Sequence, residues 1–333
     1  MTKRALTTLT LALLSFTAAL PQTQTQPPPA RAAKYPPSGD HHQHLFSPAM
    51  AVFQKITPIA AADVIKLLDE AGIERAVLLS TAYAYGRPGR EPQNEYEKVK
   101  EENDWVGAQA ALYPKRLVAF CGFNPLKPYA LEELERCSKI PSLGRGIKMH
   151  FGNSDVQLQN PEHIEKLKAV FRAANAHRMA IVIHMRASIS LDRPYGAEQA
   201  RAFLNELMPL ITNTTVQIAH LGSSGPGYDD PKVDAVMDVI GDAFEKRDPN
   251  TRNLWVDITS NAFPGNPPER SAMMVKRIRQ IGPGRILYGT DAALGGNLRP
   301  RGSWAEVCRL ALTDKEIKQI ARNRPPYLPE SER

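Results

Sequence analysis

The sequence predicts a (β/α)8 (TIM) barrel in a single domain, and two observations predict it. Eight short apolar segments recur along the chain, each about 30–40 residues from the next, which is the size of a βα unit. Several are continuous apolar runs rather than alternating ones, namely AVLLS, AIVIH and ILYG, as expected of strands buried on both faces in a parallel sheet. A doubly wound open sheet is the alternative. No GxGxxG or GxxxxGK[ST] follows the first strand to support a nucleotide-binding version of it.

The strand candidates are His41–Leu45, Ala76–Ser80, Leu117–Phe123, Gly146–His150, Ala180–His184, Thr215–His220, Leu254–Ile258 and Ile286–Gly289. Helical patterns lie between them. In 161–175, Ile164, Leu167, Phe171 and Ala174 share one face, with Asn160 as N-cap and Pro161 at the first helical position. In 61–71, Val64, Leu67, Leu68 and Ala71 group together and Gly72 stops the helix. Residues 200–211 and 233–245 read similarly.

Composition excludes several classes. The chain has 333 residues, 42% hydrophobic and 23% charged, enough apolar material for a core. Its net charge of +7 is spread without a run of basic residues, which argues against a nucleic-acid binder. Cys121, Cys137 and Cys308 are too few for a disulfide scaffold and too scattered for a zinc finger, although one disulfide is compatible with them.

Residues 1–19 read as a signal peptide. Lys3 and Arg4 precede the mostly apolar Ala5–Phe16, and Thr17 and Ala19 are placed for cleavage. No second apolar run of spanning length follows, so the expectation is an exported chain, periplasmic or secreted, with no membrane span after cleavage. Residues 20–38 read as a Pro-rich disordered linker, because seven of the 28 prolines fall between positions 21 and 48. The barrel domain is then expected over 39–327.

Polar residues gather at the C-terminal ends of the strands, where barrels build their active sites. His42 and His44 close the first, Lys148 and His150 the fourth, His184 the fifth and His220 the sixth, and Asp291 follows the eighth. His42 and His44 stand two apart, so both face one way, and neutral imidazoles are good ligands for zinc and similar ions.

These pieces together resemble the amidohydrolase superfamily, in particular its amidohydrolase-related (amidohydrolase 2) branch. The matching stretches are Asp40-His41-His42-Gln43-His44, Gly146-Ile147-Lys148-Met149-His150, Ile183-His184, Ala219-His220-Leu221-Gly222 and Tyr288-Gly289-Thr290-Asp291. The resemblance spans about 39–325 and adds LLDEAGIERAVLLS, YPKRLVAFCGFNP and the late TDKEIKQIARN. It implies that His42, His44, His184 and Asp291 bind a divalent metal, Zn2+ foremost. One ion is favoured and two are allowed. Asp291, His220 and Lys148 are the implied catalytic groups. Lys148 is either a carboxylated bridge between two ions or an ordinary cation that binds a substrate carboxylate or pairs with Asp291.

His150 and Arg186 are candidates for substrate contact. The implied activity is hydrolysis of an amide, ester or lactone by a metal-activated water. The alternative is a non-oxidative decarboxylase of the aminocarboxymuconate-semialdehyde decarboxylase type. The partner is a small molecule, with no nucleic acid and no membrane span in the mature protein, and a homo-oligomer is compatible with the sequence. The loops at 222–232 and 263–270 are expected to shape the pocket.

Overall fold

The computed structural model describes residues 27–225, 227–228, 230–291 and 300–328. The expected leader at 1–19 lies outside the described residues. The eight strands are β1 (Gly39–Gln43), β2 (Arg75–Leu79), β3 (Leu117–Gly122), β4 (Gly146–His150), β5 (Ala180–His184), β6 (Val216–Ile218), β7 (Leu254–Asp257) and β8 (Ile286–Leu287). They run in the order β1 to β8, each parallel to the next. Two backbone bonds tie the last strand's exit to the first strand. His41 N–H donates to Tyr288 O (2.9 Å), and Asp291 N–H donates to His42 O (2.8 Å). The result is a nearly closed barrel in one domain.

Burial on both strand faces accounts for the continuous apolar runs. Val77, Leu79, Phe120, Ala180 and Val182 form a small cluster with Tyr327 in the barrel interior. Their strand neighbours Ala76, Leu78, Ala119, Ile181 and Ile183 belong to the larger core shared with the helices. Close approach of strands demands glycine at one point. A Cβ on Gly122 would stand 2.3 Å from the backbone oxygen of Ser80.

The helices follow the sequence pattern with one exception. Ala61–Ala71 ends on left-handed Gly72, and Pro161–Ala176 is capped by the Asn160 side chain accepting from Glu162 N–H. Residues 197–210 are irregular, a helical turn followed by wider and tighter turns up to Leu210. Cys121 on β3 is bridged to Cys137 on the helix Ala130–Ser138, and Cys308 is a buried free thiol. No helix among the described residues is long and apolar enough to cross a membrane.

Two expectations change. First, the described part of the Pro-rich segment is not an unpacked tether. Ala30–Lys34 is a short helix, and Arg31 donates Nε, Nη1 and Nη2 to the carbonyls of Cys308, Leu312 and Leu310. A guanidinium fork that satisfies three carbonyls on one turn outweighs the extended bias of the flanking prolines. Second, β1 begins and ends two residues earlier than expected. It carries a bulge, since Asp40 pairs with Ala76 but Gln43 pairs with Leu78. The extra residue lets Asp40 and Gln43 bond side chain to side chain (2.7 Å). His41 and His42 instead reach groups of the barrel interior, Tyr327 and Asp257 respectively.

Gly122→Ala should lower stability by about 1–3 kcal/mol, because the new methyl meets backbone rather than a movable side chain. Urea unfolding of the two proteins measures this, and an unchanged midpoint would contradict the packing described.

Candidate metal centre

The barrel mouth gathers its imidazoles by fixing the far nitrogen of each ring. His44 Nδ1 lies 2.6 Å from Leu79 O, and His220 Nδ1 lies 2.9 Å from Thr259 O. A carbonyl can only accept, so both Nδ1 atoms carry the proton. His42 Nδ1 donates to the Asp257 carboxylate at 3.2 Å. All three rings therefore present Nε2 as a lone pair. Burial holds each of them neutral. It pushes His44 down to about 3 and His42 well below the usual imidazole range, with the Lys148 charge adding to both. Burial also lowers His220, against the opposing pull of Asp257.

The Nε2 atoms of His42 and His44 are 3.2 Å apart. With both Nδ1 atoms protonated, these are two acceptors facing each other, an unfavourable contact unless a cation lies between them. Two nitrogens bound to one tetrahedral zinc at 2.0–2.1 Å would be roughly 3.3–3.4 Å apart. Asp291 Oδ1 stands 3.4 Å from His44 Nε2, and donor atoms of His42, His220 and Asp291 all lie within 4.8 Å of one another. The chemistry of this donor set fits a divalent ion.

His184 stands one ring further along. It packs edge-on against His220, with centroids 5.1 Å apart, and stacks on His150 at 3.8 Å. The stack follows from register, because His150 and His184 are directly paired on β4 and β5. Burial, then His150 and His220, keep His184 well below the usual imidazole range.

Lys148 is 1% exposed, and its Nζ is 3.4 Å from His42 Nε2. Burial pulls it down to about 8, while Asp257 and Asp291 oppose that shift. An amine that sheds its proton this readily is compatible with either the cationic or the carboxylated role.

Two of the expected substrate contacts sit differently. Arg186 is 4% exposed and donates Nε and Nη2 to Asp230 Oδ2 at 3.0 and 2.7 Å, with its guanidinium over the Tyr195 ring. Asp230 caps the helix Pro231–Glu245. The arginine fork thus engages an internal carboxylate and fastens the β5 exit to the loop after β6. His150 Nδ1 accepts from Asn153 N–H at 3.1 Å and caps a short turn, which leaves its Nε2–H as a donor.

Three features escaped sequence reasoning. Asp257, fully buried at the end of β7, accepts from His42 Nδ1, Gln217 Nε2 (2.6 Å), His220 N–H (2.8 Å) and Thr259 N–H (3.1 Å). Burial alone would raise it, but His42 and His220 outweigh burial and hold it below the usual carboxylate range. Asp40 collects Thr290, Gln43 and the His42 N–H, and burial raises it to about 6. The third is backbone. His220, Leu221, Ser260 and Asp291 all adopt left-handed φ of 48–56° at the strand ends. Such conformations are costly for non-glycine residues and cluster at functional sites. Asn261 Nδ2 pins this region, donating to His220 O, Ser223 Oγ and Gly227 O.

His42→Ala should abolish metal binding, whereas Lys148→Ala should retain about one ion per chain, since the expected ligands His42, His44, His184 and Asp291 all remain. Elemental analysis of the purified proteins measures both. Two tightly held ions in the parent, one of them lost in Lys148→Ala, would replace this assignment with a lysine-bridged pair.

Solved structures share this architecture at low identity. The 2,6-dihydroxybenzoate decarboxylase from Rhizobium matches with a TM-score of 0.59 at 18% identity, covering 86% of this chain and 96% of that one. A dihydroxybenzoic acid decarboxylase from Polaromonas sp. JS666, with bound manganese and 2-nitroresorcinol, matches at 0.56 and 18%, covering 86% and 94%. A probable 2-pyrone-4,6-dicarboxylic acid hydrolase from Acinetobacter baumannii, with citric acid bound, matches at 0.56 and 16%, covering 85% and 95%. At these identities the likeness is one of fold. No curated protein sequence matches the chain. The amidohydrolase family profile matches residues 40–323, from the first strand to the end of the last helix, and the chain is therefore a member of the amidohydrolase family.

Proposed function

We propose that this chain is an exported, metal-dependent hydrolase that cleaves an amide, ester or lactone bond in a small carboxylate-bearing molecule. The observation that carries this reading is the approach of His44 Nε2 to both His42 Nε2 (3.2 Å) and Asp291 Oδ1 (3.4 Å), with the Nδ1 atoms of both rings already engaged; His184 is the third imidazole of the proposed set. Three imidazoles and a carboxylate suit Zn2+, and we assign one ion per chain, with Mn2+ the alternative given the manganese in the Polaromonas relative. When bound, the ion supplies Lewis acidity that polarises the scissile carbonyl and acidifies water.

The remaining chemistry belongs to the protein. Asp291, the carboxylate of the set, accepts the proton from the attacking water. His220, its Nδ1–H locked on Thr259 O, offers Nε2 as the second site for a proton. Lys148, as a buried cation, binds the substrate carboxylate. The C-terminal strand ends and their loops exclude bulk water from the imidazoles, most of which are at most 2% exposed. The Cys121–Cys137 bridge supports an oxidising compartment and so supports export.

Decarboxylation is the second reading. It is favoured by the two dihydroxybenzoate decarboxylases among the similar structures and by the same lysine, which would hold the carboxylate that leaves. A panel of lactones, amides and aromatic carboxylates separates the two. Acid release from a lactone or amide without CO2 is the expected result. CO2 released in step with an aromatic product would overturn hydrolysis in favour of the lyase. In either case Asp291→Asn should cut kcat by roughly 10²–10⁴, the usual worth of a positioned proton-transfer group. An unchanged kcat would remove Asp291 from the proton path.

A further inference from the structure

The stretch after the last helix enters the barrel from the end opposite the metal centre. Asn323 anchors it, donating Nδ2 to Pro283 O and Ile286 O at 2.6 Å each. Tyr327 then inserts among Val77, Leu79, Phe120, Ala180 and Val182, edge-on to the Phe120 ring at 5.2 Å. Tyr327 lies four residues past the segment shared with the family, which ends at 323.

Its hydroxyl starts a chain of hydrogen bonds whose directions are all determined. The Asp257 carboxylate can only accept, so the Gln217 amide nitrogen must face it (2.6 Å). The Gln217 oxygen then faces Tyr327 and accepts from its O–H (2.6 Å). Asp257 Oδ2, which takes the Gln217 proton, also accepts from His42 Nδ1 (3.2 Å). Gln217 additionally reaches His41 O, and His41 Nδ1 lies 3.4 Å from the tyrosine hydroxyl, so the relay is braced to β1 from below. Every member is buried.

We propose that Tyr327 is a positioning residue for the metal centre. It acts through Gln217 and Asp257 on the orientation of His42, so that docking of the C-terminal tail in the barrel floor tightens the site at the barrel mouth. This rests on the reading of His42 as a metal ligand. The hydroxyl fixes the amide, the amide fixes the carboxylate, and the carboxylate fixes the ring. Partners behind a ligand commonly alter metal affinity by 10–100-fold when removed, and a group two bonds further back carries a smaller share.

The test is Co2+ titration of the full-length, demetallated protein, read from the visible absorption of the bound ion. Tyr327→Phe keeps the ring and its packing and removes only the hydroxyl. It should weaken Co2+ binding by about 3- to 10-fold, the worth of one buried hydrogen bond. Gln217→Leu should weaken it at least as much. Adding Tyr327→Phe to Gln217→Leu should change it by less than about 2-fold, because the relay is already cut. Phe120→Leu loosens the packing around Tyr327 without touching the relay, and should lower Tm while leaving Co2+ affinity intact.

Parental affinity in Tyr327→Phe, full multiplicativity of the two relay changes, or equal weakening by Phe120→Leu would each overturn the proposal. A parent chain that binds no Co2+ would overturn the metal-centre reading itself and this inference with it. Parental affinity in Tyr327→Phe alongside a Co2+-binding parent would defeat this inference alone.

Discussion

A carboxylate sealed from water, Asp257, meets four donors drawn from two strands and from the segments that follow two strands. His42 comes from β1, Gln217 from β6, the His220 amide from the turn after β6, and Thr259 from just beyond β7. Burying a charge without such partners would cost several kcal/mol. Here the four donors make burial tenable, and in return the charge dictates where they sit. One ring it fixes is at the centre of the proposed metal set, and the backbone amide it fixes belongs to a histidine in left-handed geometry that the sequence alone would not favour. The arrangement of the mouth thus depends on an acid that itself stands behind the reacting groups.

The same logic explains the layered chemistry of the barrel. Its lower interior is apolar and closed by Tyr327. Its upper interior is crowded with imidazoles, and those of His42, His44 and His220 are each made tolerable by an acceptor behind them. Lys148 lies at the boundary, with Asp257 and Asp291 to balance its charge. The neutral rings suit a divalent ion, and the cation beside them suits a carboxylate-bearing ligand, which both proposed readings, hydrolysis and decarboxylation, would use. The choice between those reactions lies in the loops that receive the substrate, not in the ligand cluster.

Much of this was legible in the sequence. Strand positions followed from continuous apolar runs such as AIVIH, since a strand covered on both faces has no polar side. The histidines and Asp291 followed from their place at strand ends. Asp257 was hidden because a lone acid closing LWVD reads like any strand-terminal charge, and its meaning comes from partners as far as 215 residues away in the chain. Asp40 stood within the recognised DHHQH stretch, but its work depends on a bulge that shifts register by one residue, which periodicity cannot reveal. For Arg186, nothing in sequence announces that Asp230, 44 positions on, holds its fork. The proline-rich segment was misjudged for a similar reason, since composition describes the free chain and not the three carbonyls awaiting Arg31.

The face-to-face stack of His150 and His184 has a bearing on assembly of the barrel. The two residues are opposite each other in the β4–β5 ladder, as are Lys148 and Val182 two positions below. Slippage of β5 by one residue would turn His184 out into the oily helix layer and bring Ile183 into the mouth. Between β4 and β5, apart from Lys148, His150 and His184, few side chains distinguish one alignment from the next. The polar rim supplies that distinction, so the residues that make the protein chemically competent also serve as the alignment marks by which its strands find their proper offsets.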